Sequence, residues 1–284
     1  MRWFICAVAV LAFAPSAFAQ DFDALRGSET VGPATFPKWS GFYFGGQLGY
    51  SDGSVDFSKA TAPLVGFSLR ELVLEQVQEP SAWTVLGKGD SRTSGFGGFV
   101  GYNTQWQDLI LGLEANYTHS PFTVVATSSP ISRVVSAGSD LYSVNLSGTG
   151  TMEITDFGSL RLRAGWVFDR FLPYGFAGLA LGWGNYSVTS LVYGQQSAPN
   201  PPAIPTALIP CDPADVTTCV DYSYSNSTAK SGVPLYGFSV GGGVDVALTQ
   251  NIFLRGEYEY IQFAPVAGIT AAISSARIGA GLKF

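Results

Sequence analysis

The sequence predicts an all-β protein, an eight-stranded antiparallel up-and-down transmembrane β-barrel with short periplasmic turns and long extracellular loops. Eight segments alternate apolar residues with small or polar ones at period two, the pattern of strands that have one apolar face. The connections between them run long, short, long, short, long, short, long, the wiring of a barrel with both termini on the periplasmic side. The chain is also poor in charge, at 13%, while carrying 34 glycines and 14% aromatic residues. Ordinary domains average about a quarter charged.

Residues 1–19 read as a secretory signal peptide. Arg2 precedes an apolar run from Trp3 to Ala14, and Pro15 and Ala17-Phe18-Ala19 supply the exit, so cleavage is expected after Ala19. A membrane-spanning helix needs roughly 20 apolar residues, and this run is too short. Residues 20–40 form a polar periplasmic lead-in broken by Gly32, Pro33 and Pro37, and residues 41–284 form the outer-membrane β-barrel domain. Loss of Arg2 leaves 14 basic residues against 21 acidic, a net charge of −7. That balance argues against nucleic acid as a partner, because such binding depends on Lys and Arg neutralising phosphates. Cys211 and Cys219 remain after Cys6 is removed, and a close pair in an exported protein reads as a local disulfide. A reduced or metal-bound pair is the alternative, but His119, the one histidine, is distant and no CxxC occurs.

The first expected strand is Gly41 to Ser51, with Phe42, Phe44, Gly46, Leu48 and Tyr50 on its apolar face. Asp52 to Arg92 is a long connection, within which Val65 to Glu79 suits either a short helix or a strand extension. Gly95 to Trp106 and Leu109 to Tyr117, separated by Gln107 and Asp108, read as a hairpin. His119 to about Asp156 is the second long connection. Gly158 to Phe168 and Leu172 to Trp183 follow, joined by a short turn at Asp169 and Arg170. The third long connection, Gly184 to Gly232, carries both cysteines and a proline-dense run that excludes a central strand. Leu235 to Leu248, Ile252 to Phe263 and the terminal Ser275 to Phe284 complete the eight. The terminal strand must pair with Gly41 to Ser51, because an open sheet edge is excluded from lipid.

A soluble lipocalin-like barrel also has eight antiparallel strands, but its apolar row faces inward. Here Trp106, Trp166, Tyr102, Tyr258 and Tyr260 fall mainly in the apolar row, near strand ends, as the aromatic girdles of membrane barrels do. If that row faces lipid, the lumen receives Arg161, Arg163, Arg255, Arg277 and Lys283, opposed by Glu114, Asp245, Glu257 and Glu259. Buried singly, each charge would be costly, so a paired network is expected, with glycines such as Gly241 and Gly243 making room for it. An eight-stranded barrel is just wide enough for side chains to fill. The expected function is therefore a structural or surface-interaction role with a plugged lumen, and a narrow diffusion porin is the alternative.

A lipid-modifying enzyme is the third class considered. His119 followed by Ser120 is the only candidate pair, and adjacent strand residues point to opposite faces, so base and nucleophile would not meet. GFGGFVG at Gly95 to Gly101 does not match a dinucleotide fingerprint. No catalytic residue, cofactor or metal site is expected.

The segments WSGFYFGGQLGY (39–50), GGFVGYNTQW (97–106), LGLEANY (111–117), SLRLRAGWVFDRFLPYGFAGLALG (159–182), VGGGVDVALTQNIFLRGEYEYI (240–261) and the terminal RIGAGLKF resemble porin-family or OmpA-like outer-membrane β-barrel proteins, a group that includes opacity-type surface proteins. The resemblance covers the strands and none of the long loops. It implies an outer-membrane protein in contact with lipid, whose carboxyl-terminal aromatic residue, here Phe284, is read by the barrel-assembly machinery. Members are described as envelope-stabilising, surface-recognition or immune-evasion proteins, and some as porins or haem binders. No catalytic or ligand motif of the family maps onto this chain. An extracellular ligand would be recognised by the loops.

Overall fold

The computed structural model describes residues 38–138, 140–197 and 219–284. The expected signal peptide, most of the lead-in and Cys211 with its expected disulfide lie outside these residues. The elements in order are β1 (Gly41–Asp56), α1 (Ala62–Leu69), α2 (Val73–Gln78), β2 (Lys88–Trp106), β3 (Leu109–Thr127), β4 (Ile131–Ala137), β5 (Asp140–Trp166), β6 (Phe171–Ser197), β7 (Cys219–Ala247), β8 (Ile252–Phe263) and β9 (Thr270–Lys283). No described helix is long and apolar enough to cross a membrane.

Among the described residues all strand pairs are antiparallel, and the sheet has nine strands rather than the expected eight. Eight of them close on themselves: β1 pairs with both β2 and β9, and β3 pairs with both β2 and β5. The ninth, β4, arises because β5 runs beyond the end of β3. Pairing between those two stops at Thr127 and Thr149, and Ile131–Ala137 folds back onto the uncovered stretch, with Ile131 opposite Leu146. The seam between the ends of the chain is regular, with Ser51 opposite Ser275 and Tyr43 opposite Lys283. Phe284 donates its amide to the carbonyl of Phe42 at 2.9 Å and stacks its ring on Phe44.

Near the short turns the apolar rows face out. Leu162 is 69% exposed, while its neighbours Arg161 and Arg163 are 1% and 2% exposed inside. The reverse holds at the other end. There the outer rows are polar, as with Asp52, Ser54 and Asp56 on β1, and the inner rows are apolar, as with Val55 and Phe57. The switch lies at the level where His119, Asp156 and Trp183 stand side by side, and register shifts interrupt β3, β5 and β6 there. On β5 the inward residues are even-numbered up to Ile154 and odd-numbered from Phe157 onwards. A bulge inserts one residue and so flips the face that each later side chain occupies.

All four of the expected long connections are therefore shorter than the sequence suggested. β5, β6 and β7 have 27, 27 and 29 residues, against about 9–11 for a strand that only crosses a bilayer. They form a tall wall above the ring. The first connection supplies α1 and α2, which settles the ambiguity over Val65 to Glu79 in favour of helix. Pro63 opens α1, where a missing amide costs nothing. Val65, Leu69 and Leu74 from the two helices pack with Tyr142, Val144, Leu146 and Val192 of the wall.

The interior is stratified. At the turn end Trp39, Tyr43, Phe99, Ile110, Leu172 and Phe253 form one apolar layer. Beyond the charged middle lies a second, with Phe57, Leu86, Phe122, Met152, Ile154, Phe157 and Phe263 among its members. The helix-capped layer closes the far end.

Candidate functional site: the charged lumen

The lumen chemistry comes from strand residues whose alternation turns them inward: Glu114 on β3, Arg161 and Arg163 on β5, Asp245 on β7, Arg255, Glu257 and Glu259 on β8, and Arg277 on β9. Register does much of the pairing. Glu114 stands opposite Arg161, Asp245 opposite Arg255, and Glu257 opposite Arg277, so opposite charges meet directly across neighbouring strands.

Glu114 is the hub. It accepts from Arg161, from Arg163 Nη1 at 3.1 Å, from Arg255 Nη1 at 2.9 Å and from the Tyr43 hydroxyl at 2.6 Å. Asp245 accepts from Arg163 Nη2 at 2.7 Å and from Arg255 Nε at 2.8 Å. Glu257 bridges Arg161 Nη2 at 2.6 Å and Arg277 Nη2 at 2.9 Å, and it also takes the Tyr174 hydroxyl at 2.8 Å. Glu259 pairs with Arg277 and accepts from Ser159 Oγ at 2.9 Å. Four guanidinium groups thus face four carboxylates, and the cluster is neutral.

Lys283 stands apart from this network. Its ammonium donates to the carbonyl of Lys38 and lies 4.5 Å from the Trp39 ring centre, beneath the turn-end apolar layer. Its position at the last strand's end, opposite Tyr43, puts it beyond the carboxylates.

Aromatic rings complete the site, and the sequence reading assigned them no role. Arg161 lies 3.9 Å from the Phe176 ring centre, Arg163 3.8 Å from Tyr174, and Arg255 3.9 Å from Phe99. Such stacking favours a guanidinium that has lost its water. The available signal was an aromatic residue in the charged row, as at Tyr43 and Tyr174. The glycines also serve differently from expectation. A Cβ on Gly241 would meet the Phe176 ring at 2.5 Å, and one on Gly243 would meet the Tyr174 hydroxyl at 2.8 Å. They make room for these rings rather than for Arg or Glu. Gly49 does accommodate a charged chain, since a Cβ there would lie 2.7 Å from Arg277 Cγ.

Arg277 Nη1 also reaches Asn116 Oδ1 and Thr118 Oγ1, and Gln47 bonds both of those residues. This polar shelf separates the charges from the apolar layer above. His119 and Ser120 do not meet. His119 faces outward, with Nδ1 2.8 Å from Asp156 Oδ1, and the Tyr117 hydroxyl donates to the same oxygen at 2.6 Å. Ser120 points into the barrel, where it is fully buried. Among the described residues no group of His, Cys, Asp and Glu is arranged to hold a metal ion.

A closed antiparallel ring with apolar side chains outside is the architecture of outer-membrane barrels in general, and one protein family of that kind matches this chain. The model of that family, described as the outer membrane protein beta-barrel domain, matches residues 4–284. The chain belongs to this family. As an outer-membrane β-barrel protein it is similar to the 22 kDa outer membrane protein of Rhizobium leguminosarum bv. viciae, with 25% identity over 80% of this chain and 65% of that protein. The barrel chain thus spans less than two thirds of that relative's length. It is also similar to the 31 kDa outer-membrane immunogenic protein of Brucella melitensis biotype 1, with 27% identity over 92% of this chain and 86% of that protein. Among solved structures, Neisserial surface protein A aligns with 86% of this chain and 98% of its own at 15% identity and a TM-score of 0.36. Ail of Yersinia pestis, in complex with a heparin analogue, aligns with 86% of this chain and 99% of its own at 13% identity and a TM-score of 0.34.

Proposed function

We propose that this outer-membrane barrel has a structural or surface-interaction role and does not conduct, its lumen being plugged by the charged network. The carrying observation is the stratification: four ion-paired arginines lie between two apolar layers, Trp39, Tyr43, Phe99 and Phe253 on one side and Phe57, Phe122, Ile154 and Phe263 on the other. An ion crossing the barrel would have to shed its water at both layers, which is costly. In this reading the short turns are periplasmic, the tall wall with its helices is extracellular, and the outward apolar belt meets lipid. Exposed Tyr102, Trp106 and Trp166 mark one edge of that belt, and exposed Tyr50, Tyr117 and Trp183 the other. Purified protein in planar bilayers is expected to give no steady conductance. Sustained, sizeable single-channel currents would instead establish the narrow diffusion porin.

Phe284 is proposed as the residue read by the barrel-assembly machinery. In the finished barrel it contributes one ring stack and one seam hydrogen bond, so its deletion is expected to reduce outer-membrane levels while leaving the unfolding midpoint of recovered protein nearly unchanged. Outer-membrane levels equal to those of the full chain would refute that role.

A further inference from the structure

Among the described residues, the tall wall ends in an edge with no strand beside it. β7 pairs with β6 along its whole upper length, from Cys219 opposite Ser197 to Lys230 opposite Tyr186, but its pairing with β8 begins only at Gly237 opposite Phe263. The first bond on the β8 side is the Ala264 amide to the Tyr236 carbonyl, while the Gly232 amide turns to Asn185 Oδ1 on β6. Between Val220 and Ser231, the backbone groups that point away from β6 have no partner among the described residues. Edges of this kind are normally blunted by proline, by charge or by a cover. Here the sequence is VDYSYSNSTAKS, with Asp221 at one end and Lys230 near the other.

We propose that this edge of β7, Val220 to Ser231, is a docking site for an extended segment of another protein, which adds to the sheet as an antiparallel strand. The two rows flanking the edge fit such a guest. Ser223, Ser225, Ser227 and Ala229 form an outer row of small side chains that leaves room for large residues on the incoming strand. On the inner row Val220, Tyr222 and Tyr224 offer apolar and aromatic cross-strand partners. That row is held in place: Tyr222 donates to the Ser143 carbonyl at 2.7 Å, and Asn226 donates to Ser68 of α1 at 2.6 Å. A strand so fixed loses little freedom when it binds.

Two other occupants are disfavoured. The connection between β6 and β7 carries Pro199, Pro201, Pro202, Pro205, Pro210 and Pro213, which lack the amide donor that edge pairing uses. A second copy in the same membrane would present its own β7 running in the same direction, giving parallel pairing, which is weaker per residue. Whether the edge faces the exterior of the cell rests on the orientation proposed above. Its chemistry does not, so the test is made in detergent micelles.

Amide hydrogen exchange is followed in the full chain, alone and with millimolar amounts of a capped peptide of alternating Thr and Val. The same peptide methylated on alternate backbone nitrogens is the control. Without peptide, the outward amides of residues 220–231 should exchange much faster than those within the β5–β6 pair. The unmodified peptide should slow them by about tenfold or more, and the methylated one should not. Ser223→Lys, Ser225→Lys and Ser227→Lys combined should abolish the slowing, whereas Ser187→Lys with Thr189→Lys on the outer row of β6 should preserve it. The proposal is overturned if these amides are already protected without peptide, since the edge is then covered by this chain or a second copy. No slowing, equal slowing by both peptides, or slowing that survives the triple lysine variant would each overturn it as well.

Discussion

Glu114→Gln is expected to lower the unfolding free energy by about 3–5 kcal/mol, the usual cost of breaking a buried ion pair from one side. The carboxylate is fully buried and takes hydrogen bonds from three arginines and Tyr43. Its loss gives the neutral cluster a net positive charge in a place that water does not reach freely. Removing a positive partner at the same time should recover part of the loss, so the double variant Glu114→Gln with Arg161→Gln is expected to be less destabilised than the sum of the single changes. Urea titration of protein folded into lipid vesicles measures both quantities. A Glu114→Gln midpoint equal to that of the parent would mean that the lumen is wet enough to solvate the arginines separately, and the plugged lumen would fall with it.

The second large effect separates the two halves of the barrel wall. Leu162→Arg places a charge on the outward apolar row of β5 and is expected to cost about 2–4 kcal/mol, the range for Arg near the midplane of a bilayer. Ser147→Arg, on the outward row of the same strand above the register shift, should cost less than about 1 kcal/mol, because surface substitutions in water rarely matter more. The same vesicle titration reports both. Equal costs at the two positions would show that the lipid boundary does not lie between them, and the assignment of the tall wall to water would fail.

The expected strands near the short turns coincide with the lower parts of the observed ones because there the alternation has one phase and one meaning. Gly95 to Trp106 and Leu109 to Tyr117 pair as a hairpin with Trp106 opposite Leu109. The upper halves were not legible for a physical reason. Above His119 and Asp156 polar residues take the outer face and apolar ones the inner, the inversion that follows if lipid outside the wall gives way to water there, as proposed above. A membrane barrel and a soluble, lipocalin-like one look like exclusive readings of a sequence, yet this chain stacks the two patterns end to end. On β5 the bulge at Thr155 also shifts the phase, so Asp140 to Ile154 does not continue the pattern of Phe157 to Trp166. A period-two template cannot be extended across that point.

The lumen shows the same division. Alternation alone placed Glu114, Arg161 and Arg163 on one set of faces, because successive side chains on a strand must point opposite ways. Nothing in the sequence states which carboxylate meets which guanidinium, since Glu114 and Arg255 are brought within 2.9 Å only by ring closure and by the stagger between distant strands. Lys283 belongs to the same face as the other charges and still stands outside the cluster, because its height along the barrel, rather than its face, decides its neighbours. By itself, then, the sequence determined the class of fold, the closing of the first strand on the last, and which residues share a face. The tertiary structure decided the height at which the apolar face turns inward, the ninth strand, the rings that hold the arginines, and the β7 edge that no described strand covers. Those features depend on how far each strand rises beside its neighbours, a quantity set by register and bulges between segments that are far apart in the chain.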